Sequence, residues 1–131
     1  MANTTGLAAE FFVAAELLKL GHLVTITFGN TKSVDIIVCH KDQPDQRRTI
    51  DVKGLRRKNY WPLGNRKPEA RDSHFYVFCV LGGNQQHPTY YILPSSDVRK
   101  LAILAKDDKS YWLYFNHIVK EEHSDWNRLW V

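Results

Sequence analysis

Apolar and polar positions along this chain follow two different periods. From Leu7 to Leu20 the residues Leu7, Phe11, Val13, Ala14, Leu17, Leu18 and Leu20 recur at helical spacing and predict an N-terminal helix with a wide apolar surface. Thr4 or Thr5 is placed to cap its start, and Gly21 stands where a left-handed helix terminus belongs. His22 to Phe28 is rich in β-branched residues and predicts a strand, closed by the turn signal Gly29-Asn30. Further strands are expected from Val34 to His40, Arg47 to Lys53, His74 to Leu81 and Thr89 to Leu93. Gly54 to Ser73 keeps no period and holds Pro62, Gly64 and Pro68, so it is expected to be a loop. Pro94 to Asp97 opens a second helix that runs to about Ala105, and Tyr111 to Phe115 reads as a last strand. The end of the chain, with Trp126 and Trp130, is expected to pack back as a short helix or irregular cover. This order of elements is that of an α/β domain built on one mixed sheet flanked by helices, and 131 residues suit a single domain over 1–131.

Composition narrows the class. A hydrophobic fraction of 44% excludes a disordered tail. The N-terminal apolar stretch has no basic start and is interrupted by Glu10, Glu16 and Lys19, so it reads as neither a signal peptide nor a membrane span. Cys39 and Cys79 both sit in apolar runs, as reduced, small hydrophobes of a cytoplasmic protein do. The histidines lack metal-ligand spacing with these cysteines, which argues against zinc. Ser95-Ser96 is explained by a helix N-cap, and Trp112, Trp126 and Trp130 by packing.

The formal net charge is +4. Arg56, Arg57, Lys58, Arg66, Lys67 and Arg71, against Glu69 and Asp72, concentrate the whole excess between Gly54 and His74. A basic cluster of this kind can track phosphates, with Tyr60 or Trp61 stacking on bases or wedging into a groove. Lys32, in the turn before Asp35, is a further candidate phosphate contact.

Two strands carry carboxylates in otherwise apolar surroundings: Val34-Asp35-Ile36-Ile37-Val38 and Ile50-Asp51-Val52-Lys53. Buried charges are costly unless paired or bound to metal. A hairpin centred on Pro44 sets Asp35 opposite Lys53 or close to it. Asp51 then lies on the same face as Lys53, with Ile50 and Val52 turned into the core. Two carboxylates and an ammonium so arranged suit a magnesium site for phosphodiester hydrolysis. Lys53 can orient the attacking water or stabilise the developing charge. Glu10, the first charged residue of a helix made of small and apolar side chains, is the candidate third carboxylate.

The arrangement of Gly6 and Glu10 on a first helix, then Asp35, then Asp51-Val52-Lys53, resembles the PD-(D/E)XK nuclease superfamily, which includes restriction endonucleases and archaeal Holliday junction resolvases. Val34 stands where the motif has proline, and Asp51 where glutamate is commoner. The resemblance implies a restriction endonuclease-like core, a helix before a mixed sheet, with Mg2+ (Mn2+ as substitute) at the sheet's end. By this similarity Glu10 matches the helix glutamate, Asp35 the metal-bridging aspartate, Asp51 the second ligand and Lys53 the catalytic lysine. The backbone carbonyl of Val52 completes the set. The expectation is a magnesium-dependent endonuclease acting on duplex or branched DNA, with no membrane partner. Cutting both strands calls for a homodimer, an inference from the fold and not from any residue. The alternatives are a nucleic-acid-binding or interaction module of the same fold without turnover, and an RNA-processing nuclease.

Overall fold

Helix α1 spans Thr4–Lys19 and opens the chain. The structure, a computed structural model, describes residues 4–27, 34–57, 59–118 and 124–131. Thr4 and Thr5 both lie inside the helix, so neither caps it as expected. Thr5 instead accepts a hydrogen bond at Oγ1 from Arg56 Nε at 3.0 Å. The other terminus is as the sequence implies. Gly21 takes φ +93°, its N–H bonds Leu18 O at 2.9 Å, and His22 N bonds Leu17 O at 3.2 Å. These two bonds satisfy carbonyls the helix leaves open, and only glycine adopts that backbone without strain.

Seven further regular elements build most of the sheet structure. They are β1 (Leu23–Ile26), β2 (Ile36–Cys39), β3 (Arg47–Leu55), β4 (Tyr60–Gly64), β5 (His74–Val80), β6 (Thr89–Pro94) and helix α2 (Ser95–Leu101). Short strands β7 (Ile103–Leu104) and β8 (Tyr111–Tyr114) follow, then 3-10 turns at Phe115–His117 and Trp126–Trp130. The main sheet has five strands in the order β1-β2-β3-β5-β6. Only β3 and β5 run parallel. A parallel pair needs a long crossover, and β4 lies within it. The second sheet, β4-β8-β7, covers the face of the main sheet opposite α1.

Strand β5 is therefore buried on both faces, which explains its near-continuous apolar run. One core joins Ile36, Val38, Ile50, Val77 and Ile92 to Ala9, Val13, Ala14 and Leu17 of α1. The other joins Phe78, Val80, Tyr91 and Leu93 to Trp61, Val98, Leu113 and Phe115. Each fully buried aliphatic side chain contributes about 1.5–3 kcal/mol of transfer free energy.

Several expectations are corrected. The segment from Gly54 to Ser73 is not all loop, because it contains β4. Pro62 and Gly64 are tolerated there since β4 is an edge strand with a register shift between those two residues. Helix α2 ends at Leu101, not near Ala105, because Ile103 and Leu104 leave to pair with β8. Ser95 is no N-cap: α2 is preceded by Pro94 without a side-chain cap. The Ser95 hydroxyl instead accepts from Arg71 N at 2.8 Å and donates to Arg71 O at 2.9 Å. The apolar face of α1 is narrower than its sequence suggests, with Leu7, Phe11, Leu18 and Leu20 exposed. The helix approaches through small residues, and a Cβ placed on Gly54 would stand 2.6 Å from the Ala9 Cβ. So close an approach leaves the larger flanking side chains outside. At the chain's end Trp126 and Trp130 pack against the first core, the cover expected.

Cys39 and Cys79 are free thiols, and burial pushes the Cys79 thiol up to about 12. Among the described residues no helix is long and apolar enough to cross a membrane.

Candidate active site

The hairpin of β2 and β3 is in register with Ile36 facing Ile50 and Cys39 facing Arg47. It is thus centred on Gln43, one residue before Pro44. Continued by one residue, this register sets Asp35 level with Asp51, not with Lys53. The shift leaves the pleat of each strand unchanged. Ile50 and Val52 are buried in the core under α1, so Asp51 and Lys53 share the other face, and Asp35, one before the buried Ile36, shares it too.

At Asp35 strand β2 peels away from β3. Its main-chain N–H still bonds Ile50 O at 3.0 Å, while its carbonyl turns to Thr27 N at 3.0 Å. Thr27 Oγ1 also donates to Val34 O. Where the next ladder acceptor would stand, the side chain takes over: Asp35 Oδ2 accepts from Val52 N at 2.8 Å. The departure of β2 opens the upper edge of β3, and a cleft of about 440 Å3 occupies the gap. Gly6 and Glu10 line it from α1, Asp35 from the start of β2, Val52 to Leu55 from β3, and Trp61 and Pro62 from β4. A strand residue's N–H and C=O point to the same edge. The Val52 carbonyl therefore faces the side on which Asp35 sits. Gly54 is what allows this convergence, since a side chain there would drive α1, and Glu10 with it, off the sheet.

Glu10, Asp35, Val52 and Lys53 are thus brought to one cleft. Asp51 is not among its lining residues. Its Oδ2 lies 3.2 Å from His74 Nε2, on a ring that is only 2% exposed. Arg71 Nη2 is 2.9 Å from the same nitrogen, and Thr49 Oγ1 is 2.7 Å from Nδ1. One ring nitrogen serves one partner at a time. Carrying its proton, Nε2 donates to Asp51; bare, it accepts from Arg71. Tyr76, the register partner of Asp51 on β5, has its phenol raised above the ordinary value by burial and by the Asp51 carboxylate. Among the described residues no group of three or more His, Cys, Asp or Glu side chains is gathered as a metal cage.

Of the expected phosphate contacts, Arg57, Arg66 and Lys67 are exposed, and Arg56 is exposed but tied to Thr5. Lys32 and Lys58 lie outside the described residues. Trp61 cannot stack on a base as expected: it is 0% exposed, packed on Phe78 with ring centroids 5.0 Å apart. The alternation along β4 turns it inward and leaves Tyr60 outside. The sequence places Arg71 in the basic cluster and gives no sign that it and His74 stand beside Asp51. The parallel register that sets Thr49 beside His74 follows from a crossover whose length conceals it.

The architecture is a mixed α/β domain with a mixed five-stranded sheet and two helices. It is similar to the solved structure of a bacterial homing endonuclease, with a TM-score of 0.54 at 18% sequence identity, over 87% of this chain and 75% of that one. No family model matches the sequence, and no curated protein matches it.

Proposed function

We propose that this chain is a magnesium-dependent endonuclease of the PD-(D/E)XK class that hydrolyses DNA phosphodiester bonds. The observation that carries this reading is the meeting of Glu10, Asp35 and Lys53, drawn from three separate elements, on the lining of one cleft. The fold's similarity to a homing endonuclease supports it. The donors suit a hard cation that takes oxygen ligands and is typically held by one or two carboxylates while keeping several waters. Glu10 and Asp35 supply the carboxylates and Val52 its carbonyl, with Asp51 on the neighbouring face position. The chemistry such an ion supplies is polarisation of the phosphate and a lowered pKa for a bound water. Lys53 orients the attacking water and stabilises charge that grows on the phosphate. Severing both strands of a duplex needs two such clefts, so the reading includes a homodimer.

Incubation with labelled duplex, single-stranded and branched DNAs, with and without Mg2+ or Mn2+, tests it. Products that form only with metal are expected, and none across the whole panel overturns it. One observation favours a second reading, a DNA-binding module without turnover: Asp51 is absent from the lining of the cleft, its carboxylate lying 3.2 Å from His74 Nε2. That module binds the same panel and cuts none of it.

A further inference from the structure

The small sheet has two unlike faces. Trp61 and Leu113 face each other in register and are buried against the main sheet. The opposite pleat carries Tyr60 facing Tyr114 and Pro62 facing Trp112. None of these four is buried. Tyr60 and Trp112 lie stacked, with centroids 4.6 Å apart and planes 20° from parallel. Tyr114 closes the group at 6.0 Å from Tyr60 and 6.3 Å from Trp112. Beside them a trough of about 400 Å3 is lined by Trp112 and Tyr114 together with Ile103, Leu104, Ala105 and the rim residues Lys106 and Asp107. Asp107 turns its carboxylate to its own hairpin, accepting from Lys109 N at 2.9 Å.

Two relations connect this face to the cleft. Pro62 belongs to both, lining the cleft with Lys53 and pairing with Trp112 on the aromatic face. Exposed cations flank the strand that carries it: Arg57 before Tyr60, and Arg66 and Lys67 after Gly64. A backbone polyanion crossing from the cleft over Pro62 therefore follows a strand with exposed cations before and after it in the chain, and reaches the aromatic rings. Partly exposed rings near phosphate-binding charge are a means by which proteins hold unpaired bases without reading sequence. A paired duplex offers no such base faces.

We propose that the outer face of the small sheet, Tyr60, Trp112 and Tyr114 beside Pro62, is a stacking surface for unpaired DNA bases next to the cleft. The choice of DNA rests on the endonuclease reading; the stacking itself needs no cleavage. The two are separated by measuring binding in EDTA. The probes are an oligothymidylate and a blunt duplex of equal length, and the variants are Trp112→Leu and Tyr60→Leu, which keep apolar bulk. Oligothymidylate affinity is expected to fall about 5- to 100-fold, and duplex affinity to change less than about twofold. An oligonucleotide containing 2-aminopurine, added to the wild-type protein, is expected to lose fluorescence as the base stacks. This reports on the surface even where a variant fails to fold. Equal losses for both probes, no loss for either, or unquenched 2-aminopurine overturn the proposal. So does a dimer that Trp112→Leu dissociates with DNA binding intact, since the face then receives a second copy of the chain. A protein that stacks bases yet cuts nothing loses the nuclease reading alone.

Discussion

Asp35 Oδ2 sits 2.8 Å from the main-chain nitrogen of Val52, so one carboxylate both completes the β2–β3 ladder and faces the cleft. The two roles separate by substitution. Asp35→Asn keeps a carbonyl oxygen for the Val52 N–H and loses the charge. Its thermal stability is expected close to wild type, with metal-dependent cleavage abolished. Asp35→Ala leaves that N–H without its acceptor beside the buried Val52 and is expected to cost about 1–3 kcal/mol as well. Urea denaturation alongside a cleavage assay checks both. Equal stability of the two variants would show the hydrogen bond to be worth nothing.

Gly54 and Ala9 make the contact that sets Glu10. A Cβ at Gly54 would lie 2.6 Å from the Ala9 Cβ and 3.1 Å from Thr5 O, and the second neighbour is backbone that cannot swing away. Gly54→Ala is expected to destabilise by about 1–3 kcal/mol through overpacking and to reduce cleavage by shifting the first turns of α1. Ala9→Gly removes one of the two obstacles. In a double-mutant cycle the pair is expected to be less destabilised than the sum of the singles, by at least about 0.5 kcal/mol. Strict additivity would mean the helix is not positioned by this contact.

Much of this site was legible because strand parity is robust. A hairpin centre misplaced by one residue still leaves Asp35, Asp51 and Lys53 on one face, since both strands shift together. The helix bearing Glu10 was visible from its small and apolar residues, although its packing face was not. A wide apolar arc does not reveal that Gly54 lets Ala9 close onto the sheet while Phe11 and Leu18 stay in solvent. Strand β4 was hidden by Pro62 and Gly64, which mark a loop unless the strand is an edge. Its partner β8 lies far along the chain, and no local pattern announces that pairing. The same cause concealed the role of Trp61: its burial depends on Phe78 and Leu113, neither of which is near it in sequence. His74 became a neighbour of Asp51 only through the parallel pairing of β3 and β5.

His22 gives the fold a dependence on pH. Its ring is 8% exposed and stacks near His40 and Trp130, with centroids 5.2 and 5.0 Å away. Its Nδ1 accepts the Lys41 N–H at 3.1 Å. Burial above all, then the nearby His40 and Lys41, hold its pKa below the ordinary 6.5, against a smaller opposing pull from Asp42. The unfolded chain therefore takes up this proton more readily than the folded one. The contribution of neutral His22 is complete above pH 6.5 and is lost as pH falls through the lowered folded value. Melting temperature is expected to drop on acidification from neutrality, and His22→Phe is expected to flatten that slope. An identical slope in the variant would assign the effect to other groups.

Lys53 and Asp51 separate an enzyme from a binding module. Lys53 shares the cleft with Glu10 and Asp35, and on the endonuclease reading its charge matters most once negative charge grows on the phosphate. Lys53→Met is therefore expected to lower kcat by roughly 100-fold or more, with KM little changed. Asp51 lies on the same face, with its carboxylate 3.2 Å from His74 Nε2. On the endonuclease reading Asp51→Asn removes a charge near the proposed metal, so cleavage is expected to need a higher Mg2+ concentration and to fall even at saturation. DNA binding in EDTA is expected to hold or tighten, because a carboxylate that repels phosphate is gone. A module without turnover responds otherwise: Lys53→Met weakens its binding like any lost phosphate contact, and Mg2+ titration changes nothing in either variant. Affinity measurements in EDTA beside single-turnover cleavage across a Mg2+ series distinguish the two. Loss of affinity alone in Lys53→Met, from a wild-type protein that never cuts, would remove the catalytic assignment of both residues.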